Sequence, residues 1–567
     1  MFRACTRWAG NIALIWKAAS AACTNNTRLT LKPRLLHSYS AGALLILLLC
    51  LAQQSAAQHI NYRLQRDIML QVEKAVVKDT QWVHLGDRPI PMHKVNPDRM
   101  GLYGTDTAEY YYTFTDLLLS KHLVHIRKKD FEVMIDPLFN FQFGDDFGDS
   151  LRTEREQNIR TNTRGFLIQG NITDKVSFMT SFYENQAVFP LYVRQFVGER
   201  NVVPGMGRVK PFGEIGHDFA MATGYVVVAP ADFVRIQYGH DKNFVGHGYR
   251  SLLLSDNTLN YPHLRITWSA WKNRIQYTSV FGKIHSLRRM PMGETREPNF
   301  APKGFSYNYL SIMPWRFIEI GFYEAFVWRM YDVETETRTP FIGSTINPFI
   351  FTNAAGYGLD DTNNGVVGMN LRIQPTRFLQ FYGQLMLDDP NTDKYGYQVG
   401  LKIFDAFIPN LDLQAEFNRV TPFTYGTPDP LHSYTHNNEF LAHPWGAGFR
   451  EWVGIVNYRW RRVLAEARLF WGDYQLDYRI NPNQLPTTHL GKNPLRPETL
   501  RDDDRPGNPA KHIAQDFRLS YVVNPSYNMM INAGVTNRWV ESPQMRNTTT
   551  FVYIGIRTYL DNQYFDF

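Results

Sequence analysis

Cysteine is almost missing from this chain: three in 567 residues, at Cys5, Cys23 and Cys50. All three precede Ala57, where the sequence reads as a signal cleavage point, so the mature chain is expected to have none. A cysteine-free exported protein has no disulfides, no thiolate zinc site and no cysteine nucleophile. A membrane-spanning apolar run is also lacking at the N-terminus. Ala41 to Ala52 (AGALLILLLCLA) is uncharged but shorter than the ~20 residues a spanning helix needs. It has the length of a signal-peptide core, and QQSAA behind it sets the small residues Ser55 and Ala57 for cleavage after Ala57. Arg28, Lys32 and Arg34 precede the run, and no acid does. The forty residues ahead of it exceed an ordinary basic preface, and no Met lies between Met1 and Met69, so a misassigned start is expected. Leu49 is too bulky to precede a lipidated Cys50.

An excess of positive charge is lacking too, once the signal is set aside. The formal net charge of +7 depends on six basic residues before Ala41, and without them 54 basic residues face 53 acidic ones. That near-balance removes the main support for a nucleic-acid partner.

Aromatics, by contrast, are abundant. Phe, Trp and Tyr make up 14% of the chain, yet its mean hydropathy is only −0.34. That combination suits strands that alternate apolar and polar residues. From about Phe131 the period is two. In NLDLQAEFN, Leu411, Leu413, Ala415 and Phe417 alternate with Asp412, Gln414, Glu416 and Asn418. Leu379, Phe381, Leu385 and Leu387 oppose Gln380 and Gln384; Ala465, Ala467, Leu469 and Trp471 oppose Glu466 and Arg468. Tyr527, Met529, Ile531, Ala533 and Val535 oppose Asn528, Asn532 and Thr536. Strands of about ten residues with one apolar and one polar face, in an exported chain, predict a transmembrane antiparallel β-barrel of all-β class.

Eighteen strands are predicted, beginning near 131, 161, 174, 219, 232, 262, 273, 303, 316, 364, 376, 394, 410, 450, 463, 511, 525 and 549. Tight turns are expected at Thr173, Pro230-Ala231, Trp271-Lys272, Pro314-Trp315, Gln374-Pro375, Arg461-Arg462 and Val523-Asn524. They alternate with long segments, the pattern of short periplasmic turns and long extracellular loops. One residue breaks the pattern: Glu324 falls in phase with Ile318, Ile320 and Phe322, which calls for a bulge or a shorter strand. The chain ends in Phe567, as many outer-membrane barrels do, but Asp561 and Gln563 interrupt the alternation behind it. Ahead of the barrel, Ile60, Leu64, Ile68, Val72 and Val76 recur every fourth residue, one face of a helix, and a second short helix is expected around Thr115–Val124. The expected organisation is a signal peptide over 1–57, a periplasmic segment with short helices over 58–128, and the barrel over 129–567.

The richest collection of reactive side chains is GHDKNFVGHGYRSLLLSDN, residues 239–257. Ser251 has His247 four residues away but no G-x-S-x-G context and no placed acid, a weak hydrolase signal. His240, Asp241 and His247 match no established metal spacing. Gly246-His247-Gly248 lacks the third glycine of a dinucleotide loop. DDTNNG (360–365) begins like a calcium loop, but Leu371 stands where a Glu is needed. Asp502 to Asp504 read as a solvated loop. No catalysis, metal or cofactor is expected. Loop aromatics beside polar groups, such as Phe189, Tyr192, Arg194 and Phe196, or Tyr425, Tyr434, Trp445 and Phe449, suit stacking on sugar rings or packing over a barrel mouth. The stretch 239–257 is expected to fold back into the mouth as a plug or platform first and as a ligand contact second. Tyr249, Arg250, Asp256 and Trp445 are the candidate ligand-binding residues.

The same stretch resembles the signature of the Wzi-like capsule-assembly family, whose neighbours include outer-membrane proteins of gliding bacteria. NNEFLAHPWGAGFREW (437–452) resembles a second family landmark, and RDIMLQVEKA resembles its N-terminal region. The resemblance implies an eighteen-stranded outer-membrane barrel with a small periplasmic helical part, binding surface polysaccharide as a lectin without catalysis. Surface polysaccharide and outer-membrane lipid are then the implied partners. A partner in surface motility or adhesin display, an outer-membrane hydrolase and a diffusion porin are the competing functions.

Overall fold

A computed structural model describes residues 59–78, 82–95, 113–148, 158–290, 299–332, 335, 337–339, 347–357, 359, 364–389, 393–427, 429–476, 508–543 and 545–567. The signal-peptide region, residues 360–363 of the DDTNNG turn and Asp502 to Asp504 lie outside the described residues.

Eighteen antiparallel strands close into a barrel. They are β1 (Phe131–Asp146), β2 (Ile159–Ile172), β3 (Val176–Val188), β4 (Gly216–Ala231), β5 (Val234–Asp241), β6 (Tyr261–Ala270), β7 (Ile275–Arg289), β8 (Phe300–Trp315) and β9 (Ile318–Arg329). The circuit continues with β10 (Asn364–Thr376), β11 (Leu379–Asp389), β12 (Lys394–Ile403), β13 (Leu411–Val420), β14 (Phe449–Trp460), β15 (Val463–Leu476), β16 (Asn508–Asn524), β17 (Met529–Ser542) and β18 (Met545–Arg557). Closure comes from β18 on β1, with Phe551 opposite Asp146 and Arg557 opposite Asn140. Below that junction a short strand, Val124–Lys128, pairs with residues 131–135 of β1.

The alternation expected from the sequence is inverted relative to a soluble protein. Asp412, Glu416 and Asn418 are buried on the inside of β13, and Gln380, Gln384 and Gln398 inside β11 and β12. Phe381, Leu385, Val399, Leu469, Trp471, Leu519, Ile531 and Ile554 are exposed on the outside. An apolar outer wall around a polar lumen is stable only where lipid replaces water outside. Among the described residues no helix is long and apolar enough to cross a membrane; the strands do so. At the short-turn end, Phe233, Trp271, Phe317, Phe378, Phe407 and Trp460 are all exposed, one at each of six turns. That ring is an aromatic girdle at a membrane interface.

Four turns lie up to three residues beyond their expected places. The strands run on through Ala231, Trp315, Thr376 and Asn524 before turning. At Pro314 and Pro375 the ladder shifts register, between Ile312 and Trp315 and between Ile373 and Thr376. Proline gives the ladder no N–H, so a bulge absorbs it and the strand resumes. Tyr527 lies in the β16–β17 turn, outside the strand, and its hydroxyl donates to the Leu117 carbonyl.

Glu324 needs neither a bulge nor a shorter strand. Pairing on both sides of β9 is unbroken from Ile320 to Val327, around Glu324. Instead, residues 347–357 of the β9–β10 loop fold over the outer wall. The amides of Phe351 and Ala354 donate to Glu324 at 2.7 and 3.0 Å, and Asn308 Nδ2 donates to the Asn347 carbonyl at 2.9 Å.

Helix α1 is Arg66–Lys78, shorter than the fourth-residue row suggests. Ile60 and Leu64 precede it in non-helical chain, where Met92 donates to the Ile60 carbonyl and Tyr62 to that of Ile90. Asp67 in the first turn complements the helix dipole. Helix α2 is Thr113–Leu119; it ends before Val124, which begins the short strand.

Candidate functional site

The lumen is occupied by the chain itself. The first occupant is the N-terminal segment. Lys74 of α1 bonds Asp405 at 2.8 Å and Asp412 at 2.9 Å, by the β12–β13 turn. Glu73 is held by Arg88 and by Lys402 of β12, each at 2.7 Å. These two cations keep the buried Glu73 carboxyl below its ordinary range, against the cost of burial. Farther round the wall, Glu319 of β9 accepts from the amides of Leu85 and Gly86 at 3.1 and 2.9 Å.

Loop 242–260, between β5 and β6, is the second occupant. Residues 244–245 pair with 87–88 of the N-terminal segment. Glu416 of β13 accepts from the amides of Tyr249 and Arg250 at 2.7 and 3.1 Å. Gln384 of β11 accepts from Leu252 and donates to the Val245 carbonyl, at 2.8 and 2.9 Å. A loop cut off from water must satisfy its backbone groups from the barrel wall, and these inward Glu and Gln side chains do so. Leu252, Leu253 and Leu254 are fully buried in the main apolar cluster.

The third occupant is the 421–448 loop between β13 and β14. Tyr425 and Tyr434 donate to the carbonyls of Leu252 and Leu253 at 2.7 and 2.9 Å. Last comes the tail, residues 558–567, which leaves the sheet after Arg557 and turns inward. That departure is why the alternation ahead of Phe567 is broken.

All four candidate residues meet in this assembly, and all are buried: Tyr249, Arg250, Asp256 and Trp445. Arg250 pairs with Glu451 of β14 at 2.8 Å and with Asp566 at 3.1 Å. Tyr249 donates its hydroxyl to the same Asp566, and Trp445 Nε1 donates to the Asp566 carbonyl at 3.3 Å. Asp256 accepts from Tyr564 at 2.7 Å and from Asn562 at 3.0 Å. The tail therefore unites them, a role that sequence reading did not give it. The signal was present as the polar residues at Asp561 and Gln563. His443 bonds Glu451 at 2.8 Å, and burial holds its imidazole down to about 4 although Glu451 opposes the shift.

Other reactive side chains are accounted for by the turn itself. Ser251 Oγ donates to the Val245 carbonyl and accepts from the amides of Leu253 and Leu254 at 3.1 and 3.2 Å. His247 is buried 3.9 Å from Glu319, while His240 bonds the Ala222 carbonyl at 2.9 Å. The hydroxyl of Ser251 is thus held by its own loop, with no imidazole as partner. Among the described residues no group of three metal-binding side chains forms. The loop aromatics pack inward as well: Tyr425, Tyr434, Trp445 and Phe449 are buried in the main cluster, and Phe189 and Tyr192 in a second.

Beside the plug lies an open cavity of about 180 Å³. It runs along β1, β2 and β15–β18, with the base of helix α3 (Leu191–Arg200) at its long-loop end.

A search of curated proteins finds no match. Among solved structures, the chain is similar to the Escherichia coli outer-membrane protein Wzi, involved in group 1 capsule assembly and described as a carbohydrate-binding β-barrel. The TM-score is 0.52 at 12% identity, over 88% of this chain and 100% of that one. It is also similar to Acinetobacter baumannii OccAB2, at a TM-score of 0.43 and 11% identity, over 75% of this chain and 98% of that one. The family model described as capsule assembly protein Wzi matches residues 142–551. The chain thus belongs to the Wzi capsule assembly family and is a β-barrel of the bacterial outer membrane.

Proposed function

We propose that this barrel binds surface polysaccharide at its long-loop end and positions it during capsule assembly, as a lectin-like factor without catalysis. The observation that carries the reading is the filled lumen. A porin needs an unobstructed polar channel, whereas this lumen holds α1, two inward-folded loops and the tail, bonded to the wall on several sides. A hydrolase reading loses its nucleophile to the 245–254 turn. What remains for function is a rigid floor beneath the long loops. Tyr249, Arg250, Asp256 and Trp445 hold that floor, so their part in binding is to position the surface above them. Family membership supports polysaccharide as the ligand.

The test is retention of the producing cell's own surface polysaccharide on the detergent-solubilised, immobilised protein. Saturable retention that free polysaccharide competes away is the expected result. No retention of any native surface glycan would sink the reading.

A further inference from the structure

The outer wall of β7–β9 carries polar side chains at the depth where lipid is expected. Beyond the Phe317 girdle, β9 turns Ile318, Ile320, Phe322, Glu324, Phe326 and Trp328 outward. At ~3.3 Å per residue and a tilt of about 40°, Phe322 stands roughly 13 Å and Glu324 roughly 18 Å above that girdle, inside the ~25 Å apolar band of such barrels. Glu324 is not alone there. Register places Asn308 of β8 beside it and Ser279 of β7 beside Asn308, and Ser279 Oγ donates to Asn308 Oδ1 at 2.7 Å. The chain neighbours Tyr307 and Tyr323 bond Arg265 and Tyr434 inside the lumen, so this polar row points the other way. All three of its members are nonetheless buried.

Residues 347–355 of the β9–β10 loop cover the row, and they meet it with backbone. The amides of Phe351 and Ala354 donate to Glu324, and the Asn347 carbonyl accepts from Asn308. The Pro348 carbonyl accepts from the Tyr277 hydroxyl of β7. Within the segment, the Phe349 amide donates to Asn347 Oδ1 at 3.0 Å, and the Ala355 amide to the Phe351 carbonyl at 3.0 Å. Pro348 brings no N–H that would need a partner. Irregular backbone is tolerated at membrane depth only where protein satisfies its polar groups, and here the outer wall does so.

The far side of the segment is apolar. Phe349 is 70% exposed, with Pro348, Phe351 and Ala355 exposed beside it. Thr352 is exposed too, but its hydroxyl is engaged on the Phe349 carbonyl at 2.7 Å. This surface continues the lipid-facing wall: Leu385, in register with Phe322 through Met369, is 60% exposed.

We propose that residues 347–355 form a re-entrant segment lying in the lipid band, with its polar side on Ser279, Asn308 and Glu324 and with Phe349 and Phe351 among lipid acyl chains. A carboxylate in a lipid-facing row is costly unless hydrogen-bonded and covered, and the segment supplies both bonds and cover. Acyl chains are the occupant of its far side because that side is uncharged and continuous with the apolar wall. A segment pinned in this way fixes how deeply the barrel sits, and so the height of the long-loop platform above the lipid.

The experiment is spin-label accessibility on the full chain reconstituted in phosphatidylcholine vesicles. Cys5, Cys23 and Cys50 are changed to Ser, so a nitroxide attaches only at Phe349→Cys or, separately, at Ala355→Cys. Leu385→Cys gives the lipid reference, and Lys210→Cys, exposed in the long loop ahead of β4, gives the aqueous one. Labels at 349 and 355 are expected to collide with oxygen as the Leu385 label does. Their collision with a water-soluble nickel chelate is expected to be about tenfold below that at Lys210, because the bilayer core excludes water. Heat-modifiable migration on gels verifies that each labelled variant still forms the barrel. Nickel collision equal to that at Lys210 in the folded variants would overturn the proposal by placing the segment in water. Shielding from both reagents, with dipolar broadening between labels, would overturn it in favour of a second copy of this chain on the same face. Either of these results would leave polysaccharide binding at the long-loop end standing.

Discussion

Arg250 shows how one side chain can organise this lumen. It is fully buried between Glu451 and Asp566, and so joins the barrel wall, loop 242–260 and the tail. Removing one member of a buried ion network leaves the others charged and unpaired, at a cost of ~3–5 kcal/mol. Arg250→Ala is therefore expected to lower the denaturant midpoint of the purified protein and to release residues 558–567 to hydrogen exchange. A tail that stays protected in that variant would show the network is not what holds it. Glu439, in the 421–448 loop, gives a pH-dependent counterpart. Burial raises its carboxyl to about 8, against the partial opposition of the Gly205 amide, which donates to it at 2.9 Å. Its Oε2 is buried without a partner, as a protonated carboxyl would tolerate best. A folded pKa above the ordinary 4.5 means the stabilisation is full below 4.5 and is lost as pH rises through about 8. Exchange of amides 435–441 is therefore expected to speed up from pH 5 to pH 9 beyond the intrinsic rate, and Glu439→Gln to remove that excess. At this scale the sequence was partly legible. Tyr249, Arg250, Asp256 and Trp445 stood out because charged and aromatic side chains are conspicuous in a glycine-rich loop. Their link to the tail did not, because Asp566, which meets Tyr249, Arg250 and Trp445, and Asn562 and Tyr564, which meet Asp256, lie more than a hundred positions away and only closure of the lumen brings them near.

Among the elements, strands were the most legible, because lipid outside and a polar plug inside impose the two-residue period along nearly the whole barrel. All eighteen expected strands are present. The turn positions slipped where Pro314 and Pro375 suggested an end and a bulge let the strand continue. The helical row was overextended because Ile60 is buried and Leu64 half-buried by non-helical chain, and burial alone does not distinguish the two. Glu324 was read correctly as an anomaly, but its explanation lay in a loop that reaches it only in three dimensions. Replacing Glu324 with Ala leaves the amides of Phe351 and Ala354 without their acceptor. Residues 347–357 are then expected to exchange rapidly and to become sensitive to protease, while the barrel loses no more than ~1–3 kcal/mol. Unchanged protection of 347–357 would mean that its apolar contacts, such as Phe351 on Phe322 at 6.2 Å, hold it by themselves.

For the barrel as a whole, the lumen is where stability and function meet. Its wall carries Glu, Gln, Lys and Arg facing inward, and without a plug these would line a wet channel. With the plug in place they bind backbone amides and carbonyls of the inserted segments, so a porin-like wall becomes the frame of a rigid platform. The sequence showed the wall and, through GHDKNFVGHGYRSLLLSDN, one of the inserted segments. It did not show that α1 and the tail enter as well, because their patterns are those of an ordinary short helix and an imperfect last strand. The account's central claim is that this barrel is closed by its own chain and works by binding rather than by conduction. Single-channel recording of the purified protein in planar bilayers tests that claim most directly. The expected result is no stepwise conductance at moderate voltage; steady ohmic steps of porin size would contradict it.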